Sequence, residues 1–379
     1  MSEIKVNSIK GVGASTAAIT VNNTDGTCTA NITNNLSNRN KVINGGMMIH
    51  QRGDASATNS SGYLSSDRFL TNNNSSSQVA VTKSTDTPDG FSASTKWDCT
   101  SQDTSVAAGN YFLIQHRMEG QNLQDFAKGT SSAKQYALSF YIKATKTGVY
   151  TIELEDTDNS RACSKTITVS DTNWNRYSLI FPADTTGALD NDANSSLTIN
   201  FWLLAGSNFN SGTLQSSAWG TRTDANRVSS SNVNALDSTS NDFFLTGVQL
   251  EVGGTVTDFE HRSFGQELAL CHRYYQQYPE STGDGYGLIF NGYIPNSTTV
   301  QGALIFSEMR SSPTITNSGN FRILHQSSAV TVSSFNYYHS QKTSLNPQAI
   351  TSSTLTVGQG AMVGADNDTT ARIKLSAEL

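Results

Sequence analysis

Apolar and polar residues alternate along most of the chain. In Tyr136, Leu138, Phe140 and Ile142 every second position is apolar, and Tyr150, Ile152, Leu154 and then Tyr177, Leu179, Phe181 repeat the pattern. A period of two sets one face of a strand against a core and the other toward solvent. Strand candidates recur at 69–70, 79–82, 111–115, 136–142, 148–154, 164–169, 175–181, 197–204 and 243–252, and many of them alternate. Polar stretches at 72–77, 184–196 and 206–240 separate them as long loops. This spacing predicts a large two-sheet sandwich of jelly-roll kind over residues 44–262.

The flanks read differently. Before residue 44, Ile4, Val6 and Ile9 alternate, Gly11 and Gly13 interrupt, and Ile19 and Val21 lead into Asn22-Asn23-Thr24-Asp25-Gly26, a turn signal. Residues 1–43 hold too few large apolar side chains for a core of their own. They are expected to form an extended N-terminal anchor that pairs with other copies or with a docking surface. Ser263-Phe264-Gly265-Gln266 is a capping box. The stripe Leu268, Cys271, Tyr275, Tyr278 then predicts one linking helix over 264–277 within the segment 263–279, stopped by Pro279. Candidate strands at 285–292, 301–306, 314–316, 321–324, 330–335 and 371–375 predict a small C-terminal β domain over 280–379. The fold class is therefore mainly β.

Composition sharpens this reading. About a third of the 379 residues are Ser, Thr or Asn, and only 15% are charged. Such a surface suits turns and exposed strand faces and disfavours long solvated helices. The formal charge is −6 and no basic stripe occurs, so a nucleic-acid groove is not expected. Cys28, Cys99, Cys163 and Cys271 lie far apart, without a C-x-x-C pair, and read as reduced packing residues. No signal-peptide h-region and no run of the roughly 18 apolar residues of a membrane span is present, so membrane insertion is not expected. An exterior-style surface without an export signal fits a virion protein made in a host cytoplasm and released by lysis.

Two blocks carry a more specific signal. Asn44-Gly45-Gly46-Met47-Met48-Ile49-His50-Gln51-Arg52-Gly53, followed by Asp67-Arg68-Phe69, is the first. The second runs through Phe244-Leu245-Thr246-Gly247-Val248-Gln249-Leu250-Glu251-Val252-Gly253 and Phe259-Glu260-His261-Arg262-Ser263-Phe264-Gly265-Gln266-Glu267-Leu268-Ala269-Leu270-Cys271-His272-Arg273-Tyr274-Tyr275. Together they resemble a signature of bacteriophage tail-fibre and related virion structural proteins, over about residues 40–280. The resemblance implies a body like carbohydrate-binding jelly rolls, a homotrimer on a phage tail, contact with tail proteins through the N-terminal segment, and a host-surface glycan or receptor as ligand. It carries over no catalytic residue. A virion scaffold role (tail adaptor, nozzle or head fibre) and a glycan-degrading enzyme are the alternatives.

Candidate sites follow from residue type. Among Trp97, Trp174, Trp202 and Trp219, only Trp219 lies in a polar loop, where an indole can stack on a sugar ring; the other three read as packed. Tyr337, Tyr338 and His339 form a polar-aromatic cluster suited to a recognition surface or, equally, a trimer seam. Asp190-x-Asp192-x-Asn194 places oxygen ligands at alternate positions, as calcium loops do, as does Asp156-x-Asp158. The expectation is no cofactor beyond a structural calcium in such a loop. Glu251 is expected to be an interfacial carboxylate in a structural ion pair with Arg52, Arg68 or Arg262. Glu153 and Glu155 share a strand face about 7 Å apart, a spacing glycosidases can use. Alternation with Ile152 and Leu154 reads more simply as a solvent face, so no enzyme is expected.

Overall fold

In the computed structural model of the chain the described residues are 6–13, 18–21, 24, 28–30, 37–280, 283, 285–326 and 328–379. Ile4 and most of the 22–26 turn signal lie outside them. β1 (Ser8–Ile9), β2 (Ile19–Val21) and β3 (Cys28–Ala30) pair as a small antiparallel sheet. The next region holds β4 (Ala55–Thr58), β5 (Phe69–Asn73), β6 (Gln78–Ser84), β7 (Ser94–Ser101), β8 (Tyr111–Glu119) and β9 (Tyr136–Ala144). It continues with β10 (Gly148–Asp156), β11 (Arg161–Val169), β12 (Asn175–Phe181), β13 (Ser195–Ala205), the one-turn α1 (Ser207–Asn210), β14 (Gly220–Thr221) and β15 (Asp242–Val252). The helix α2 (Phe264–His272) leads to β16 (Tyr275–Tyr278), β17 (Leu288–Asn296), β18 (Thr299–Gly302), β19 (Leu304–Ile305), β20 (Thr314–Ser318) and β21 (Phe321–His325). The chain ends in β22 (Ser328–Thr331), β23 (Ser334–Tyr338), β24 (Ser344–Ile350), β25 (Gly360–Ala365) and β26 (Arg372–Ser376).

The fold is mainly β, a jelly-roll-like sandwich with a second β unit. Two six-stranded antiparallel sheets, ordered β14-β11-β10-β13-β8-β5 and β12-β9-β15-β7-β6-β4, pack across one core. The alternation read from sequence is what fills it. Ile152 and Leu154, Ile199 and Phe201, Leu138 and Phe140 are all buried there, and Phe140 meets Phe201 edge-on at 5.1 Å. Each such side chain contributes about 1.5–3 kcal/mol by leaving water. One boundary moves. Val42 and Met47 are part of this core and the Lys41 N–H donates to Leu250 O, so the sandwich begins near residue 40 and not at 44. Strand β7 also joins the second sheet: its Trp97 and Cys99 face the core while Lys96 and Asp98 face out, an alternation too polar to stand out in sequence.

The signature glycines answer to geometry. A side chain on Gly45 would lie 2.1 Å from Val248 O, and Gly247, at φ +64°, sits where the pairing of β15 with β9 shifts register. Gly45 lets the segment 40–48 lie flat against β15, and Gly247 leaves room for the rings of Phe91 and Tyr141.

The linking helix is shorter than expected. Ser263 and Gln266 form the capping box, but α2 ends at His272. Tyr275 and Tyr278 instead belong to β16, which pairs with β26 and β26 with β20, closing the C-terminal unit. Their three-residue spacing mimicked a helical stripe because tyrosines tolerate either setting. An eight-stranded sheet with β19-β24-β18-β17-β25-β21-β22 in order, and β23 on β24, completes this unit around its own core of Phe290, Ile294, Val300, Ile323, Val363 and Ile373.

Two histidines in the first unit set its acid response. His116 faces the core against Phe69, 5.1 Å between ring centres, and burial holds it well below its ordinary range. Burial also holds His50 at about 4. A histidine kept neutral in the fold stabilises above its unfolded value of about 6.5, and that stability is lost as pH falls toward its folded value. Asp67 acts oppositely: burial raises it to about 6, so its contribution is present in acid and is lost as pH rises through 6. The two histidines act together against Asp67, and unfolding free energy should fall as pH drops from 6 toward 4. Denaturant titrations across that window check this, with His50→Gln expected to flatten the slope.

Candidate functional site

The side of the first sheet away from the core carries the chain's most elaborate polar arrangement. On β8, Phe112, Ile114 and Met118 point inward, which turns Tyr111, Leu113, Gln115 and Arg117 outward. On β13 the same alternation turns out Thr198, Asn200 and Trp202, and on β10 it turns out Thr151, Glu153 and Glu155. The register aligns them in rows: Asn72, Leu113, Trp202 and Thr151 form one, Leu70, Gln115, Asn200 and Glu153 the next, and Arg117, Thr198 and Glu155 the third. Hydrogen bonds link the middle of this floor. Asn72 Nδ2 donates to Gln115 Oε1 (3.0 Å), Gln115 Nε2 to Asn200 Oδ1 (2.6 Å), and Asn200 Nδ2 to Glu153 Oε2 (2.9 Å) and Glu155 Oε2 (3.0 Å).

Segment 206–240 folds over one end of the floor. Phe209 packs edge-on against Tyr111 (5.6 Å) and tilted against Trp202 (5.4 Å), and Val228 is fully buried beside them. Backbone bonds from Val233 N to Val149 O and from Ala235 N to Leu203 O tie the segment down. From it, Arg227 lies 5.0 Å over the Trp202 ring and donates Nε to Glu153 Oε1 (2.8 Å) and Nη2 to Glu153 Oε2 (2.8 Å) and Glu155 Oε2 (2.9 Å). Arg222 Nη1 takes Glu155 Oε1, and Trp202 Nε1 donates to Glu153 Oε2 (3.2 Å). Burial alone would raise Glu155, but Arg227, Arg222 and Asn200 together hold it below its ordinary range. The remainder of the floor is an open groove of about 430 Å³, lined by Tyr111, Gln115, Arg117, Thr198, Phe209 and Arg222 among others.

Glu153 and Glu155 are therefore not on a solvent face. They point away from the core as the alternation requires, yet are 0% and 6% exposed because the 206–240 segment covers them. Trp202, expected within the core, lies on this outer face beneath the same cover. Nothing in the loop's sequence says where it lands; only its isolated Phe209, Arg222, Arg227 and Val228 hint that it is not mere solvent-facing chain.

The other expected site residues fall elsewhere. Trp219 is a correction: it is 6% exposed, its indole Nε1 donates to Pro182 O (2.8 Å), and it packs on Tyr136 in the core, so it has no free face for a sugar. Tyr337, Tyr338 and His339 lie at β23 in the C-terminal unit. Tyr337 stacks on Phe335 and its hydroxyl donates to Asn317 Oδ1 (3.1 Å), while Tyr338 and His339 are exposed. The calcium-like loop is held by hydrogen bonds of its own. Asp192 spends Oδ1 on the Asn194 N–H and Oδ2 on its amide, and Asp190 bonds through its N–H to Asp158 Oδ2. Among the described residues no three His, Cys, Asp or Glu side chains gather to hold a metal. Asp156, from the second such motif, instead faces the buried ammonium of Lys128 at 2.5 Å.

Glu251 is paired, but with Arg39 (3.2 Å) and Thr257, not with Arg52, Arg68 or Arg262. Those three arginines build the junction around α2 and the C-terminal unit. Arg262 meets Glu267 (3.3 Å), Arg52 bridges Asp67 (3.3 Å) and Glu378 (2.9 Å), and Arg68 takes Glu378. Arg52 and Arg68 lie 3.7 and 3.5 Å over the rings of Tyr275 and Tyr274, and Arg273 forks onto Glu119 with both bonds at 2.7 Å. Sequence identified the residues of this junction but not their partners, because Glu378 and Arg39 lie outside the signature blocks.

No family model matches the chain, and no curated protein matches its sequence. Among solved structures, the enzymatically active domain of tailspike protein 4 of bacteriophage CBA120 is similar at 14% identity over 56% of this chain, with a TM-score of 0.29; the match spans 21% of that tailspike chain. A family 11 carbohydrate-binding module from a cellulosomal cellulase of Clostridium thermocellum is similar at 12% identity over 55% of this chain and 99% of its own, TM-score 0.27. A xylan-binding domain of carbohydrate-binding family 22 gives 14% identity over 50% and 90%, TM-score 0.28.

Proposed function

We propose that this chain is a phage tail-fibre protein, a virion component that recognises host-surface glycan by binding and without turnover. The observation that carries the reading is the groove on the open sheet face. Its floor offers the amides of Asn72 and Gln115 and the hydroxyl of Thr198 to sugar hydroxyls, and Tyr111 and Phe209 supply an aromatic wall. Its volume lies within the roughly 300–1,000 Å³ of small-ligand sites. The two carboxylates that a hydrolase would need are engaged by Arg227, Arg222, Asn200 and Trp202, which favours holding over proton transfer. The signature blocks add the tail-fibre context. In this reading three chains associate, the N-terminal segment meets the tail, and exposed Tyr338 and His339 lie on a second surface available to the host. Trimerisation multiplies a weak glycan affinity by raising effective concentration.

Incubation with host envelope polysaccharide tests this. The chain should be retained on the immobilised polysaccharide, and no new reducing ends should appear. Release of reducing ends would replace the reading with the glycan-degrading alternative, and absence of retention would favour the scaffold role.

A further inference from the structure

We infer that the groove selects a carboxylate-bearing saccharide and grips its carboxylate with Arg222; this rests on the glycan reading above. The floor and its cover place three guanidinium groups around the groove, Arg117, Arg222 and Arg227, with the carboxylates of Glu153, Glu155 and Asp224 among them.

The three arginines are not equivalent. Arg227 spends Nε and Nη2 on Glu153 and Glu155, and its Nη1 faces Asp224 at 3.7 Å. Arg117 donates Nη1 to Leu379 O (2.9 Å) and Nη2 to Gln115 Oε1 (3.2 Å). Arg222 spends only Nη1, on Glu155, and its side chain is 39% exposed. Among the described residues nothing accepts from its Nε or Nη2. Those two nitrogens form the edge of a guanidinium that binds a carboxylate in two parallel hydrogen bonds. Glu155 holds the opposite side of the fork, and Arg222 lines the groove.

The acceptors point the same way. Glu153 receives bonds from Arg227, Asn200 and Trp202, and Glu155 from Arg222, Arg227 and Asn200. Glu153 accepts four bonds and Glu155 three, which leaves little acceptor capacity for the hydroxyls of a neutral sugar. The groove therefore meets hydroxyls with neutral amide and hydroxyl groups, and the donors it leaves for an anion are Nε and Nη2 of Arg222.

The test compares a hexauronate with the carboxyl-reduced hexasaccharide of the same linkage, by calorimetry on the full chain. The hexauronate should bind about tenfold or more tighter, the effect of one charge-assisted bidentate contact. Arg222→Gln should erase that ratio while leaving the weaker neutral binding in place. Arg222→Lys keeps the charge without the fork and should retain part of the preference. Melting temperatures of both variants close to that of the natural chain establish that the fold persists. Equal binding of both oligosaccharides, or a ratio unmoved by Arg222→Gln, overturns the inference while the glycan reading stands. Failure of both to bind, with the chain still retained on host polysaccharide, overturns the carboxylate assignment. Failure on all three overturns the groove reading itself.

Discussion

Replacing Lys128 with alanine should lower the stability of the chain by about 3–5 kcal/mol, the cost of stranding a buried charge. The Lys128 side chain is 1% exposed. Its ammonium lies 2.5 Å from Asp156 Oδ2 and 3.1 Å from Asp184 Oδ2, and donates to Gly187 O (2.7 Å) and Thr186 O (2.9 Å). Burial would raise Asp184, but Arg161, Lys128 and the Thr186 N–H hold it below its ordinary range. Arg161 can keep serving Asp184 with bonds of 2.8 and 3.0 Å. Asp156 has no such second cation; its other side-chain partner is the Asn159 amide. Alanine therefore leaves a fully buried carboxylate unpaired. Thermal unfolding should show a fall of several degrees at least, and Lys128→Met combined with Asp156→Asn should recover most of it. A loss below about 1 kcal/mol would show that water reaches this site. The ammonium also stands among four oxygens beside Asp156, where the sequence suggested a cation loop.

Arg68→Ala should be as costly, about 3–5 kcal/mol, and its damage should fall on the joint between the two β units. Arg68 is 1% exposed, pairs with Glu378, donates to Arg117 O (2.6 Å) and lies flat over Tyr274. Alanine removes the charge, the stacking surface and the tie to the C-terminal strand together. Hydrogen exchange should accelerate selectively at residues 372–378 and 273–278, where β26 and β16 meet the sandwich. Uniform acceleration through β9 and β15 instead would place Arg68 in the global core and contradict the junction role. Glu378→Gln should reproduce the local effect more mildly, because Arg52 and Arg68 then lose one charge between them while the hydrogen bonds persist.

How much of this was legible depended on which interactions were local. The period-two runs on β9, β10, β12 and β13 depend only on neighbours in sequence, and they gave the sandwich and its inward faces. Strand β7 escaped because Ser, Thr and Cys fill its inward positions beside Trp97. Strand β24 was not among the candidates; it carries Pro347, a residue uncommon in a strand with neighbours on both sides. The site was harder. Glu153, Glu155 and Trp202 stand out as residue types, but their meaning is set by Arg222 and Arg227, about 70 residues from the glutamates along the chain. Trp219 misled for the same reason: a polar loop sequence does not disclose that Tyr136 and Pro182 enclose its indole. The signature arginines were recognised as structural, yet their partner Glu378 sits more than 300 residues from Arg68 and Arg52.

The central claim is that the outer face of the β8–β13–β10 floor, beside the 206–240 cover, holds a saccharide. A crystal structure of the full chain grown with an oligosaccharide released from host envelope polysaccharide tests it most directly. The account predicts a sugar chain seated along Asn72, Gln115 and Thr198, with a ring against Tyr111 and Phe209 and the Arg222 fork in contact. A sugar bound only at Tyr338 and His339, or a groove left empty while the ligand occupies another surface, would contradict it.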